Sequence, residues 1–213
     1  MQYLLDLRAK VRSQLSATEP VQAVFEGRLN RGIYARYLTN VWHYAIHSAV
    51  VIGMAGARCV PGNPMLGDYL LHHAREELGH DAWALQDLKA MEIDEPAVRA
   101  TRPVPACASM IGVEYYWAAH ANPVGLFGWM YILEAMGDDL GSEIARRIED
   151  GLQLPDGVKF LAGHGVADED HTADLTREIT NNVKPEDMAD IHHVADVVSD
   201  LYVRMFQQIG EEE

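Results

Sequence analysis

Two stretches of the chain carry the same arrangement of ligand-forming side chains. LLHHAREELGHDAWALQDL holds His73, Glu77 and His80, and KFLAGHGVADEDHTADL holds His164, Asp168 and His171. Each reads His-x3-acid-x2-His. On a helix of 3.6 residues per turn, positions i, i+4 and i+7 fall within about 60° of one another. Three side chains able to bind a cation therefore share one face, and the triplet occurs twice in one chain. Each contains an acid-x-x-His step, Glu77 to His80 and Asp168 to His171. Helical bundles that hold two metal ions use such a step on each of two helices, with a further Glu from each of two others.

One further Glu is Glu134, in the apolar run GLFGWMYILEAM. A carboxylate there is costly to bury unless it is paired or bound to metal, so we read it as a ligand, against an internal salt bridge with an Arg. The long segment Arg31 to Ala57 has no carboxylate after its start and offers His43 and His47 instead. One of them could stand where a Glu is expected, and core or rim histidines are the alternative. Imidazole with carboxylate suits iron, manganese or zinc. A closed structural zinc site needs four ligands and often uses Cys. Six or more ligands without Cys favour one or two redox-active ions, iron first and manganese second.

These residues must be placed by helices. No stretch alternates apolar and polar residues between turns, whereas helix punctuation is frequent. Helices are expected over Tyr3 to Leu15, from Glu19-Pro20, over Arg31 to Ala57, and from Asn63-Pro64 to about Met91. More follow from Ala106 to Ala121 and from Asn122-Pro123 to Glu149, the latter loosened at Gly137 and Gly141. The last two run from Leu154-Pro155-Asp156 to about Asn181 and from Pro185 to about Gln208. The reading is all-α, one bundle domain of about seven to nine helices over residues 1–213.

With 213 residues the chain can bury a substantial core. Its formal charge of −15 repels phosphate backbones, so no nucleic-acid partner is expected. Cys59 and Cys107 form no CxxC, and MQYLLDLRAK lacks the apolar run of a signal peptide. The apolar run Ala45 to Ala57 is too short to span a bilayer. A cytoplasmic protein without a membrane partner is expected, and a homodimer is left open.

The sequence resembles the heme-oxygenase-like fold and, within it, the di-iron oxidases and oxygenases known as iron-containing redox enzymes. The residues responsible are HHAREELGHDAWAL, the isolated Glu of GWMYILEAM, and HGVADEDH. The resemblance implies that His80, Glu134, His164, Asp168 and His171 match ligand positions. His73, Glu77, His43 and His47 are the candidates to complete a second metal. It also implies an O2-activating oxidase or oxygenase acting on a small molecule. An amino acid or carboxylic acid is expected, because a ferrous pair among these ligands would keep some positive charge.

The same fold includes metal-free enzymes, a thiaminase-like hydrolase with a Cys nucleophile and a quinone-cofactor ring-closing oxidase. Neither needs six converging ligands. A non-catalytic metal-storage or partner-binding protein is a third reading. Heme oxygenase itself would leave the repeated triplet unexplained.

Overall fold

The computed structural model describes residues 1–211, with side chains throughout that range except at 165–170. No strand occurs among the described residues. Among the described residues, nine helices have ten or more residues: α1 (Gln2–Ser16), α3 (Arg31–Cys59), α4 (Pro64–Glu76), α5 (Asp81–Ala90), α7 (Pro105–Ala119), α8 (Leu126–Met136), α9 (Ser142–Leu152), α10 (Lys159–Asn182) and α11 (Met188–Glu211). The short helices α2 (Glu19–Phe25) and α6 (Glu95–Arg99) link longer ones.

Proline and asparagine start several of these elements for local reasons. The Asn30 side chain accepts from the Ile33 amide at 2.9 Å and caps α3. Asn63 does the same for Leu66, and Pro64 occupies the first turn of α4. Such side chains satisfy amides that the helix itself leaves unpaired.

The expected continuous helix from Pro64 to Met91 is instead two. α4 ends at Glu76, Gly79 takes φ +97°, and α5 begins at Asp81. A left-handed backbone at Gly79 is open to glycine at little cost and ends the helix there. Glu77 and His80 thus sit on the bend between two helices. Later, α8 passes into a π-helical turn, Gly137–Gly141, before α9 resumes. Arg8 of α1 grips this turn, donating to Asp138 at 2.7 Å and to Asp139 at 2.6 and 3.0 Å.

α3 runs through the molecule and packs on α4, α5 and α7, while α11 packs on α7 and α8. α8 and α11 approach closely at Gly128. A Cβ there would lie 2.2 Å from the Ile191 carbonyl oxygen and 2.7 Å from the Ala195 amide nitrogen. α10 packs on α5, α8, α9 and the π turn.

The start of α10 is fixed from a distance. Val158 precedes it without a side-chain cap. Asp87, fully buried near the end of α5, accepts from the Lys159 amide at 2.8 Å and the Phe160 amide at 2.9 Å. The Tyr34 hydroxyl of α3 donates to the Gly157 carbonyl at 2.8 Å. These three bonds tie the head of α10 to the first half of the chain.

Two outcomes are expected. Gly128→Ala should cost about 2 kcal/mol and lower Tm by roughly 4–8 °C in a thermal melt, because backbone must move. Burial pushes the Asp87 carboxyl up to about 6, above its unfolded value. The folded state therefore holds its proton more tightly, and this carboxyl adds stability as pH falls through 6. In urea titrations of metal-free protein, wild type should gain stability relative to Asp87→Asn between pH 7 and pH 5. An unchanged gap would place the Asp87 carboxyl at an ordinary value.

Candidate metal centre

α4, the bend after it, α8 and α10 bring two groups of ligand-capable side chains together. His73, Glu77, Glu134 and His171 each offer an atom within 4.8 Å of the others, and so do Glu77, His80 and His164. Glu77 belongs to both. Opposite ligands of one ion bound at about 2 Å lie about 4 Å apart, so small contractions would bring either group to ligand distance.

In the first group, His73 is 2% exposed and its Nε2 lies 3.1 Å from Glu134 Oε1. His171 Nδ1 lies 3.3 Å from Glu134 Oε2. The two imidazoles meet edge to face, with ring centroids 4.7 Å apart. The Glu134 carboxylate pulls His171 toward its protonated form, against burial, which works the other way. In the second group, His80 Nδ1 lies 3.2 Å from Glu77 Oε1, and the His80 and His164 rings are 4.8 Å apart. Burial lowers the His164 pKa, so its imidazole is neutral and its nitrogen is a ready donor to a cation. His164 Nδ1 hydrogen bonds the Phe160 carbonyl at 2.9 Å, which leaves Nε2 for a ligand role.

Of the residues singled out in the sequence, His73, Glu77, His80, Glu134, His164 and His171 converge. Asp168 falls within residues 165–170, whose side chains lie outside the described residues. His43 and His47 point elsewhere. His43 Nε2 pairs with the Thr101 hydroxyl at 2.8 Å and His47 Nδ1 with the Tyr115 hydroxyl at 3.0 Å. Neither is in the two groups. Their i, i+4 spacing marked a shared face of α3, and that face turns toward α7 and the segment after α6. Glu76 is 42% exposed and comes no nearer than 3.8 Å to His73 and His171.

Some residues around the site were missed in the sequence. Tyr69, one turn before His73, stacks on that ring at 5.9 Å and on Phe127 at the same distance. Trp83 stacks on His80 at 4.2 Å and meets His164 edge-on at 5.4 Å. The i−4 and i+3 offsets from the candidate histidines His73 and His80 were a usable signal for both. Glu114 of α7 is a buried carboxylate with the Trp129 indole as polar neighbour, and burial raises its pKa well above the ordinary value. It lies outside both groups.

The donor set suits a divalent cation. Two carboxylates and four imidazoles, with no thiolate, are what iron or manganese accepts. Two glutamates gathered in a largely buried site also need compensating charge. The cysteines do not offer a competing chemistry. Burial pushes the Cys107 thiol up to about 12 and the Cys59 thiol up to about 11, so neither is a ready thiolate.

The helical array is the heme oxygenase-like all-α fold. The chain belongs to the iron-containing redox enzyme family, whose model matches residues 35–202. Among solved structures it is similar to a domain of unknown function with a heme oxygenase-like fold from Shewanella denitrificans OS217. Identity is 25% and the TM-score 0.87, over 96% of this chain and 89% of that chain. A TenA homolog from Pseudomonas syringae pv. tomato DC3000 matches at 16% identity and TM-score 0.79, over 98% and 91% of the two chains. A CADD-like protein of unknown function from Nostoc punctiforme PCC 73102 matches at 15% and 0.72, over 99% and 98%. These last two show the fold alone. No curated protein matches the chain.

The geometry orders the ligands. Glu134→Ala or His171→Ala should lower bound iron, measured by elemental analysis after Fe(II) loading and desalting, to half of wild type or less. His43→Ala should leave it unchanged. Equal loss in all three would make α3 a ligand helix.

Proposed function

We propose that the protein is an O2-activating non-heme iron oxidase or oxygenase, with two iron ions, acting on a small molecule. The observation that carries this reading is the pair of ligand groups joined through Glu77. A carboxylate has two oxygens and can serve two cations at once, whereas each imidazole serves one. His73, Glu134 and His171 would hold one ion and His80 and His164 the other. Iron held there would supply binding and reduction of O2.

The protein's own residues contribute orientation and dryness. The carboxylates of Glu77 and Glu134 favour the higher-valent metal, while the neutral His164 and its fellow imidazoles keep the net charge low enough to hold Fe(II). Tyr69 and Trp83 fix ring orientation by stacking, and their bulk keeps water away. The site opens onto a cavity to which Glu77, Glu134 and His164 contribute wall. A substrate in that cavity would sit beside the ligand groups.

A hydrolase of the TenA-like kind is the competing reading, since TenA homologs share the fold. The buried, high-pKa cysteines do not favour it.

Anaerobic loading with Fe(II) followed by stopped-flow mixing with O2 tests the proposal. Wild type should oxidise iron at least tenfold faster than free Fe(II) in the same buffer, and His164→Ala should lose most of that acceleration. Oxidation no faster than free iron, or an unaltered rate in the variant, would count against oxygen activation at this site.

A further inference from the structure

Trp83, the third residue of α5, stands between the candidate metal centre and solvent. Its ring stacks on His80, with centroids 4.2 Å and planes 23° apart, and meets His164 edge-on at 5.4 Å. It therefore touches both imidazoles of the second ligand-capable group. A Cβ at Gly163 would lie 2.7 Å from Trp83 Cζ3, so the indole also lies against the α10 backbone one residue before His164. The ring is nevertheless part-exposed, and Leu78, on the bend before α5, is 70% exposed. Phe160 and Tyr69 also touch candidate histidines but are unsuited to carrying an electron. Phe160 packs on His164 at 4.2 Å, yet it is buried, and a phenyl ring gives up an electron far less readily than an indole. The Tyr69 hydroxyl, beside His73, is buried without a hydrogen-bond partner among the described residues. A tyrosine must lose that proton when it gives up an electron, and here no acceptor takes it. Among the described residues the buried, unpartnered indole nitrogens are those of Trp42 and Trp129, not that of Trp83.

We infer that Trp83 is a one-electron relay between the metal centre and reductants in solution. The inference rests on the proposed iron-dependent function. The His80 and Glu77 side chains are only 13% and 10% exposed, so a reductant in solution has little direct access to iron held by them. An indole stacked face to face on His80 carries the contact outward through π systems. An O2-oxidised centre with no substrate beside it draws one electron from the Trp83 indole across His80. The indole gives its Nε1 proton to water, which leaves a neutral indolyl radical. A one-electron reductant of the ascorbate class then returns the electron, and water returns the proton. The net change is one electron moved from the reductant to the centre, with Trp83 restored. Oxidising equivalents that would otherwise attack the candidate histidines are drained in this way.

Two measurements on the full chain, loaded anaerobically with Fe(II), test this. In the first, a laser flash generates ruthenium(III) tris-bipyridyl in solution without O2, and iron oxidation is followed by absorbance. Electrons then leave through the same route whether or not the centre activates O2. Trp83→Phe, which keeps a stacking ring, should slow iron oxidation by about an order of magnitude. Trp117→Phe removes a part-exposed indole that packs on His193 of α11, and should leave the rate unchanged. Both variants should keep wild-type iron content. In the second, the loaded protein is mixed with O2 in the absence of substrate and freeze-quenched. Wild type should show a tryptophan radical by EPR, with hyperfine splitting that collapses when the indole hydrogens are deuterated, and Trp83→Phe should not. Peptide mass spectrometry of wild type after repeated exposure to O2 needs no variant. It should find added oxygen at Trp83 and not at Trp42 or Trp129, and ascorbate should suppress it. Flash oxidation as fast in Trp83→Phe as in wild type, or added oxygen at a different tryptophan, would overturn the inference. A flash rate that depends on Trp83 with no radical after O2 would contradict oxygen activation while keeping the relay.

Discussion

The contact between Asp87 and the first turn of α10 sets the geometry of the site. Two α10 amides, those of Lys159 and Phe160, have no partner within their own helix and end on one buried carboxylate of α5. The bond fixes where α10 begins relative to α5. His80 opens α5, and His164 lies one turn into α10, so the same contact brings those two imidazoles together. Removing either partner would strand a buried charge or two buried amides, so this register is costly to change.

A second constraint acts at the other side of the site. Glu134 lies on α8, three residues before the π turn, and that turn packs on α10. Arg8 holds the turn through Asp138 and Asp139, whose side chains are 25% and 14% exposed. Charge-assisted bonds of this partly buried kind are geometrically demanding. α1 thereby helps to place Glu134 against His73 and His171, although it supplies no ligand. A π turn next to Glu134 also changes the direction in which the helix presents its side chains.

Much of the fold was legible because helical punctuation is local. Asn30, Asn63, Pro64 and Pro123 act within one turn of where they stand, and the structure uses them at helix starts. The convergence of His73, Glu77, Glu134 and His171 was legible too, since helical spacing and a carboxylate in an apolar segment are both local signals. What escaped is non-local. The His-x3-Glu-x2-His triplet was read as one helical face, yet Gly79 breaks the helix and the bend delivers Glu77 between two ligand groups. Nothing adjacent to Lys159 announces that its cap comes from Asp87, 72 residues earlier. For the same reason, spacing could not say toward which neighbour the His43 and His47 face of α3 would turn.

In the proposed function, Glu77 would serve two metal positions, since it belongs to both ligand-capable groups. The most direct test of this role is anomalous diffraction at the iron edge from crystals of the full chain loaded anaerobically with Fe(II). The account predicts two iron peaks roughly 3.5–4 Å apart. One should lie among His73, Glu134 and His171 and the other beside His80 and His164, with the Glu77 carboxylate between them. A single peak that leaves Glu77 unligated, or iron bound instead at His43 and His47, would contradict it.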